Sequence, residues 1–244
     1  MTKTDEKKYF KRIGKDGLAF TLQKPFVDPA NAGPLLANIG AVFSFFPQLP
    51  ARIIDLGCGS GWTSNFYAKA GYDVLGVDIS KDAIEAANKH FVSADKSLSF
   101  SYGDYDTLKH RDEFDVAIFF DSLHHTDDEQ RALQAAYKAL KPGGIIILCE
   151  PGKGHSKSPS SVEAVKKYGV SERDMPPKIS TKALRTAGFK DIRTYAYPAH
   201  LHRANYKQFS GYRAFINNSF FRGIVAFALS TTRKRNHGLV VALK

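Results

Sequence analysis

The stretch Arg52-Ile-Ile-Asp-Leu-Gly-Cys-Gly-Ser-Gly61 decides how the chain is read. Arg52–Leu56 is an apolar, β-branched run of strand length, and glycines follow it at once. A strand that empties into a glycine loop marks the entry to an open α/β sheet, where ligands bind outside the carboxyl ends of the strands. Glycine lets the backbone turn tightly and approach a ligand closely. The spacing is Gly57-x-Gly59-x-Gly61. The dinucleotide fingerprint requires a small residue at position 62, and Trp62 stands there. A phosphate-binding loop requires Gly-Lys-Ser/Thr, and none follows.

Working outward, strands and helices alternate. Trp62–Ala70 reads as a helix stopped by Gly71. Asp73–Ile79 is the second strand, and Ser80 caps a helix that runs through His90. Leu98–Tyr102, Phe114–Asp121 and Ile145–Cys149 continue the strands, with a helix over Asp127–Leu140 and a turn at Lys141-Pro-Gly-Gly144. This alternation predicts a parallel sheet covered by helices on both faces. Further on, Gly152–Pro177 is a polar loop with a short helix at Val162–Tyr168. A helix at Thr181–Ala187 and strands at Ile192–Tyr197 and Gly238–Leu243 complete the pattern. Upstream, residues 1–15 are charged and expected to be loose, and Phe26–Pro50 has helical spacing. The expected architecture is one α/β domain with a seven-stranded, mostly parallel sheet. A helical lead-in spans 1–50 and the core 51–198. A helical cap is inserted over 199–236, and the last strand lies in 237–244.

Bulk properties narrow the function. The chain has 244 residues and a net charge of +11. Two cysteines, Cys58 and Cys149, cannot build a disulfide framework or a zinc cluster. The polar N-terminus lacks a secretory apolar core, and no apolar run reaches the ~18 residues of a membrane span. A cytoplasmic location is therefore expected. Ile192–Lys244 contains no Asp or Glu and carries nine Lys and Arg residues. That asymmetry suits an anionic partner, whether a phosphorylated substrate, a nucleic acid or a membrane surface; it equally suits a basic solvated face.

The acids around the loop point to a ligand. A carboxylate at the end of the second strand, Asp78, can accept hydrogen bonds from both hydroxyls of a ribose. Asp55, just upstream of the loop, adds negative charge that suits a cation and not a pyrophosphate. At this point the sequence resembles the class I, Rossmann-like S-adenosylmethionine-dependent methyltransferase family. Asp55-Leu-Gly-Cys-Gly-Ser-Gly61 looks like its first motif and Val77-Asp-Ile-Ser80 its second. Gly103-Asp-Tyr105 resembles the third, Phe114-Asp-Val together with Phe120-Asp-Ser-Leu-His-His125 the fourth, and Leu140-Lys-Pro-Gly-Gly144 the turn into strand five. The resemblance covers Arg52 to about Glu150. It implies that Gly57, Gly59 and Gly61 contact the methionine part of the cofactor through backbone and that Asp55 orients its amino group. Asp78 would hold the ribose, and Asp104, with Tyr105 and Ile79 as walls, the adenine. Asp121 or Ser122 would lie near the sulfonium.

The acceptor side is less specified. His124 and His125 follow strand four, and Glu150 ends strand five; each is a candidate base for a hydroxyl acceptor. His155 lies in the loop beyond. No metal cluster stands out, with Asp121, Asp127 and Asp128 as the acids to test for one. The expected activity is methyl transfer to oxygen or nitrogen of a small-molecule or glycan-type acceptor, phosphorylated and lipid-linked compounds included. Two alternatives stay open. One is an RNA methyltransferase using the basic C-terminal stretch, whose aromatics and Arg also fit base stacking or an anionic membrane. The other is a non-catalytic module that keeps the cofactor fold.

Overall fold

The apolar runs pair into one sheet. A computed structural model of the chain describes residues 3–91, 97–196, 224 and 238–244. Its strands are β1 (Arg52–Leu56), β2 (Asp73–Asp78), β3 (Leu98–Tyr102), β4 (Phe114–Phe120), β5 (Leu140–Glu150), β6 (Lys190–Ala196) and β7 (Gly238–Leu243). They form a seven-stranded sheet in the order β3-β2-β1-β4-β5-β7-β6. Pairing is parallel from β3 through β5, and β7 runs antiparallel to both β5 and β6. The chain order reverses between β1 and β4, which places a crevice at the carboxyl ends of those two strands.

Burial on both faces explains the uninterrupted apolar run of β4: Val116, Ala117, Ile118 and Phe119 are all shut off from solvent. On one face, α5 (Glu129–Ala139) and α7 (Pro177–Ala187) pack through Leu133, Ala136 and Leu184. On the other, α2 (Pro29–Phe43) and α3 (Trp62–Lys69) pack through Ile39, Val42, Trp62 and Tyr67. Two further helices, α4 (Lys81–Phe91) and α6 (Pro159–Tyr168), follow β2 and β5. Ser80 caps α4 as expected, accepting from the Ala83 amide at 3.4 Å.

The N-terminus departs from expectation. Residues 3–22 form a helix, α1 (Lys3–Leu22), kinked at Gly14. Its charges are not loose because they have distant partners. Lys3 Nζ lies 2.7 Å from Asp104 and 2.6 Å from Asp106, and the Ser171 amide donates to Glu6 at 2.7 Å. Tyr9 stacks edge-on against Tyr168. The Lys141–Gly144 turn sits inside β5, where the register shifts between Phe114–Leu140 and Val116–Ile145. The cap expected over 199–236, and with it most of the basic stretch, lies outside the described residues apart from Ile224, which is exposed. No described helix is long and apolar enough to cross a membrane.

Gly61 is a hinge of this packing. It caps α3 at φ 85°, and a Cβ there would sit 2.4 Å from the Phe100 ring. Gly143 has a similar φ of 77° but open space around it. Gly61→Ala is therefore expected to cost about 2–4 kcal/mol, adding overpacking to left-handed strain. Gly143→Ala should cost only about 1–2 kcal/mol. Urea midpoints of the two variants check this, and equal losses would contradict it.

Candidate active site

A cavity of about 640 Å³ opens at the carboxyl ends of β1, β2 and β4, walled on the outside by α1 and α2. That size falls within the range of small-molecule sites. Its inner wall is built by hydrogen bonds between the glycine loop and β2. The Gly57 and Cys58 amides donate to the Val77 carbonyl at 2.8 and 3.1 Å. The Gly59 amide donates to Asp78 Oδ2, and the Ser80 amide to Oδ1, each at 2.8 Å.

Asp78 is 8% exposed and lines the cavity. Burial raises its pKa, against the pull of the amides of Ser80, Gly59 and Ile79. Among the described residues no Lys, Arg or His pairs with it. Each carboxylate oxygen accepts a short backbone bond, from Gly59 or Ser80, and a carboxylate has about four lone-pair sites in all. Beside it, Ile79 and Tyr105 supply apolar wall, with the Tyr105 ring edge-on to Phe119 at 5.4 Å. Ser60 Oγ and Asn38 Oδ1 are buried with no partner among the described residues, although both residues line the cavity. An acid with open lone pairs, orphaned polar atoms and a glycine cradle fit a ribose-bearing ligand.

Two expected cofactor contacts are displaced. Asp55 is not on the cavity wall: it is 1% exposed and turned toward the start of α3, where Thr63 and Ser64 hydroxyls donate to Oδ2 at 2.7 and 2.6 Å. Burial pushes it up to about 6. Gly61 is not on the cavity wall either, and a Cβ at its position would meet Phe100 and Ala87. Gly57, Gly59, Asp78, Ile79, Asp104, Tyr105 and Asp121 do line the cavity. Asp104 is already engaged, since it caps the turn at Tyr105–Thr107 and pairs with Lys3.

The far side of the cavity corrects the reading of Glu150. This strand-end carboxylate is 2% exposed and does not face the cavity. Its Oε1 accepts the Ser122 and Leu123 amides, and its Oε2 accepts the His124 amide and meets His124 Nδ1 at 2.7 Å. Glu150 thus caps the turn at Leu123–His125 and fixes the His124 ring. Its place is that of a positioning group, off the cavity wall. His124 Nε2 lies 3.7 Å from Glu172, whose Oε2 also meets His155 Nε2 at 2.5 Å. Burial works against charge on His124, but Glu150 and Glu172 outweigh it and hold the imidazole at about 10. Burial also works against charge on Glu172, and His124 and His155 together hold it well below the usual carboxylate range. His125 donates from Nδ1 to the Ser171 carbonyl; burial and the neighbouring His124 charge push it down to about 3. At neutral pH, His124 therefore already holds a proton and His125 binds one weakly. Neither is a strong base.

Asp121 adopts φ 50°, a left-handed conformation rare for a residue with a side chain, and it does so on the cavity wall. Lys24 and Trp62 line the same side, the Lys24 ammonium 6.0 Å from the indole centroid. Asp128 is used as the cap of α5. The group able to hold a metal among the described residues is instead His124, His125 and Glu172. Sequence reasoning missed Lys3, Glu6, Lys24 and Glu172. They sit in stretches without apolar periodicity, and only the fold brings them to the cavity.

Known proteins share part of this sequence and its fold. Residues 54–148 match the family model described as a methyltransferase domain. A ubiquinone biosynthesis O-methyltransferase of Hydrogenovibrio crunogenus is 33% identical over 99 residues, which are 39% of this chain and 41% of that protein. Phosphoethanolamine N-methyltransferase 3 of Arabidopsis thaliana is 31% identical over 147 residues, 58% of this chain and 29% of that one. The chain thus spans less than half the length of these curated relatives. Phosphoethanolamine N-methyltransferase 2 of Haemonchus contortus, solved in complex with S-adenosyl-L-methionine, aligns with a TM-score of 0.65 at 20% identity, covering 96% of this chain and 57% of that one. The fold is that of the class I methyltransferases.

The outer wall should respond to pH through Glu6. Burial raises Glu6 to about 7; the Ser171 amide and His124 oppose the rise, and Glu172 and Asp78 add to it. His125 also faces it, at 3.8 Å. A carboxyl raised on folding stabilises the docked state when protonated. That contribution is full below the unfolded value near 4.5 and is lost as pH rises through about 7. Intrinsic-rate-corrected hydrogen exchange of residues 3–13 should show more protection at low than at high pH, and Glu6→Gln should flatten the profile. An unchanged profile in the variant would refute the assignment.

Proposed function

We propose that this chain, whose residues 54–148 belong to the methyltransferase domain family, transfers the methyl group of S-adenosylmethionine to an oxygen or nitrogen of a small acceptor. The observation that carries the reading is Asp78, a buried carboxylate without a cationic partner among the described residues, pinned by the Gly59 and Ser80 amides at the mouth of the glycine loop. S-adenosylmethionine, when bound, supplies a methyl carbon made electrophilic by its sulfonium.

The chain's own residues do the rest. Asp78 accepts from the ribose hydroxyls, and the Gly57–Gly59 backbone leaves room for the methionine part. Tyr105 and Ile79 wall the adenine, and Asp104 lies within its reach. Much of the rate in such a displacement comes from holding the nucleophile ~3 Å from the methyl and in line with the leaving sulfur. The walls that hold an acceptor are Trp62 and Phe120, with Lys24, Asn31 and Asn38 as polar groups among them. Enclosure pushes Lys24 below its usual value, opposed by Asp121. A cation in that position suits an acceptor bearing a phosphate or carboxylate. Small acceptors also appear in the names of the relatives, one acting on a ubiquinone precursor pathway and others on phosphoethanolamine.

Incubating the full chain with methyl-labelled S-adenosylmethionine and a cell extract tests the reading. Label should enter the small-molecule fraction and be lost with Lys24→Ala. Label confined to bulk RNA would overturn the small-acceptor assignment.

A further inference from the structure

Three side chains on one wall of the cavity are arranged as metal-binding residues are. We propose that His124, His125 and Glu172 bind a divalent transition-metal ion, of the zinc, cobalt or manganese type, on the acceptor side of the cavity. Their ligand atoms lie within 4.8 Å of one another. Bonds of ~2.0–2.2 Å require ligand atoms roughly 3.3–3.6 Å apart. His124 Nε2 and Glu172 Oε2, at 3.7 Å, are already close to that spacing. Closing the remainder asks a shift of about 1 Å at most.

The supporting contacts carry the argument further than the spacing does. Ligating imidazoles use one ring nitrogen for the metal and donate from the other to a carboxylate or carbonyl, which fixes the tautomer and the ring plane. His124 Nδ1 is engaged by Glu150 at 2.7 Å, and His125 Nδ1 by the Ser171 carbonyl. Both rings thereby offer Nε2 to an ion, which on binding would displace the proton His124 holds there. Glu172 has its own holder in His155. Each of the three ligands is thus oriented by a separate neighbour, from four parts of the chain. The two rings lie side by side on the cavity wall, tilted at 38° with centroids 4.0 Å apart.

Charge favours the same occupant. Glu150 and Glu6 lie against the two imidazoles, so three carboxylates surround the pair, with the Arg173 guanidinium held to the His124 carbonyl and Glu129 on its outer side. Imidazole and carboxylate donors suit zinc and its neighbours over magnesium or calcium, which take oxygen alone. The three ligands line the cavity, so the ion's open positions face an acceptor. On the methyl-transfer reading, an ion there would polarise an acceptor hydroxyl.

The full chain, made without a histidine tag and stripped with a chelator, should be titrated with Co²⁺ in the absence of cofactor. The expected result is saturable binding of one ion per chain, visible d–d absorption of a low-coordinate site and a raised melting temperature. Glu172→Gln, which keeps shape and loses charge, and His125→Ala should each weaken binding by at least about tenfold, and His110→Ala should not. Glu150→Gln, which touches no ion, should weaken it by about 10–100-fold. Uptake that does not saturate, or affinity unchanged in both ligand variants, overturns the proposal. S-adenosylhomocysteine binding by the stripped protein, measured alongside, reports separately on the methyl-transfer reading.

Discussion

The cavity depends on one carboxylate bridging two backbone amides. Asp78 ends β2 and is hydrogen-bonded to Gly59 on one oxygen and Ser80 on the other. Through the first it ties the loop after β1 to the neighbouring strand; through the second it starts the turn into α4. A buried carboxylate is costly unless its lone pairs are occupied. Two amides meet part of that need and leave lone pairs facing the cavity, so the group that shapes the loop is also the one best placed to recognise hydroxyls. Charge-assisted bonds of this kind are about twice as strong as neutral ones.

The two sides of the cavity are built differently. The Asp78 side comes from strand ends and one loop, all close in sequence to β1 and β2. The other side is assembled from the turn after β4, the end of β5, the loop before α7 and helix α1. Glu150 organises the second side: sealed beneath the Ser122–His124 turn, it orients the imidazole that the cavity presents. On the proposed function, sheet and loop would hold the cofactor while the surrounding loops and helices specify the acceptor, a division by which one fold can serve many acceptors.

This division decides what was legible in the sequence. The strand-to-glycine transition at Leu56–Gly57, the acid ending β2 at Asp78 and the apolar run of β4 are local signals, each set by backbone conformation or two-sided burial, and all three lie in the fold where the sequence put them. Strands β3 and β7 were placed to the residue. Signals that depend on which way a side chain points were read less well. Asp55 alternates to the α3 side of its strand and Gly61 packs on Phe100, so neither lines the cavity despite standing in the motif. Lys3, Glu6 and Glu172 were not legible at all. Their partners lie from tens to more than a hundred residues away, and charged residues without periodicity look alike whether solvated or docked. The same reason hid the His124, His125 and Glu172 grouping behind a search for clustered acids near residue 128.

The account stands on Asp78 recognising a ribose. Calorimetric titration of S-adenosylhomocysteine into the wild-type chain and Asp78→Asn, which preserves the shape of the side chain, tests it most directly. The account predicts stoichiometric binding by the wild type and a loss of at least about 2 kcal/mol, more than tenfold in affinity, in the variant, because an amide cannot accept from two hydroxyls as a carboxylate does. Equal affinity in a variant that melts at the wild-type temperature would contradict it.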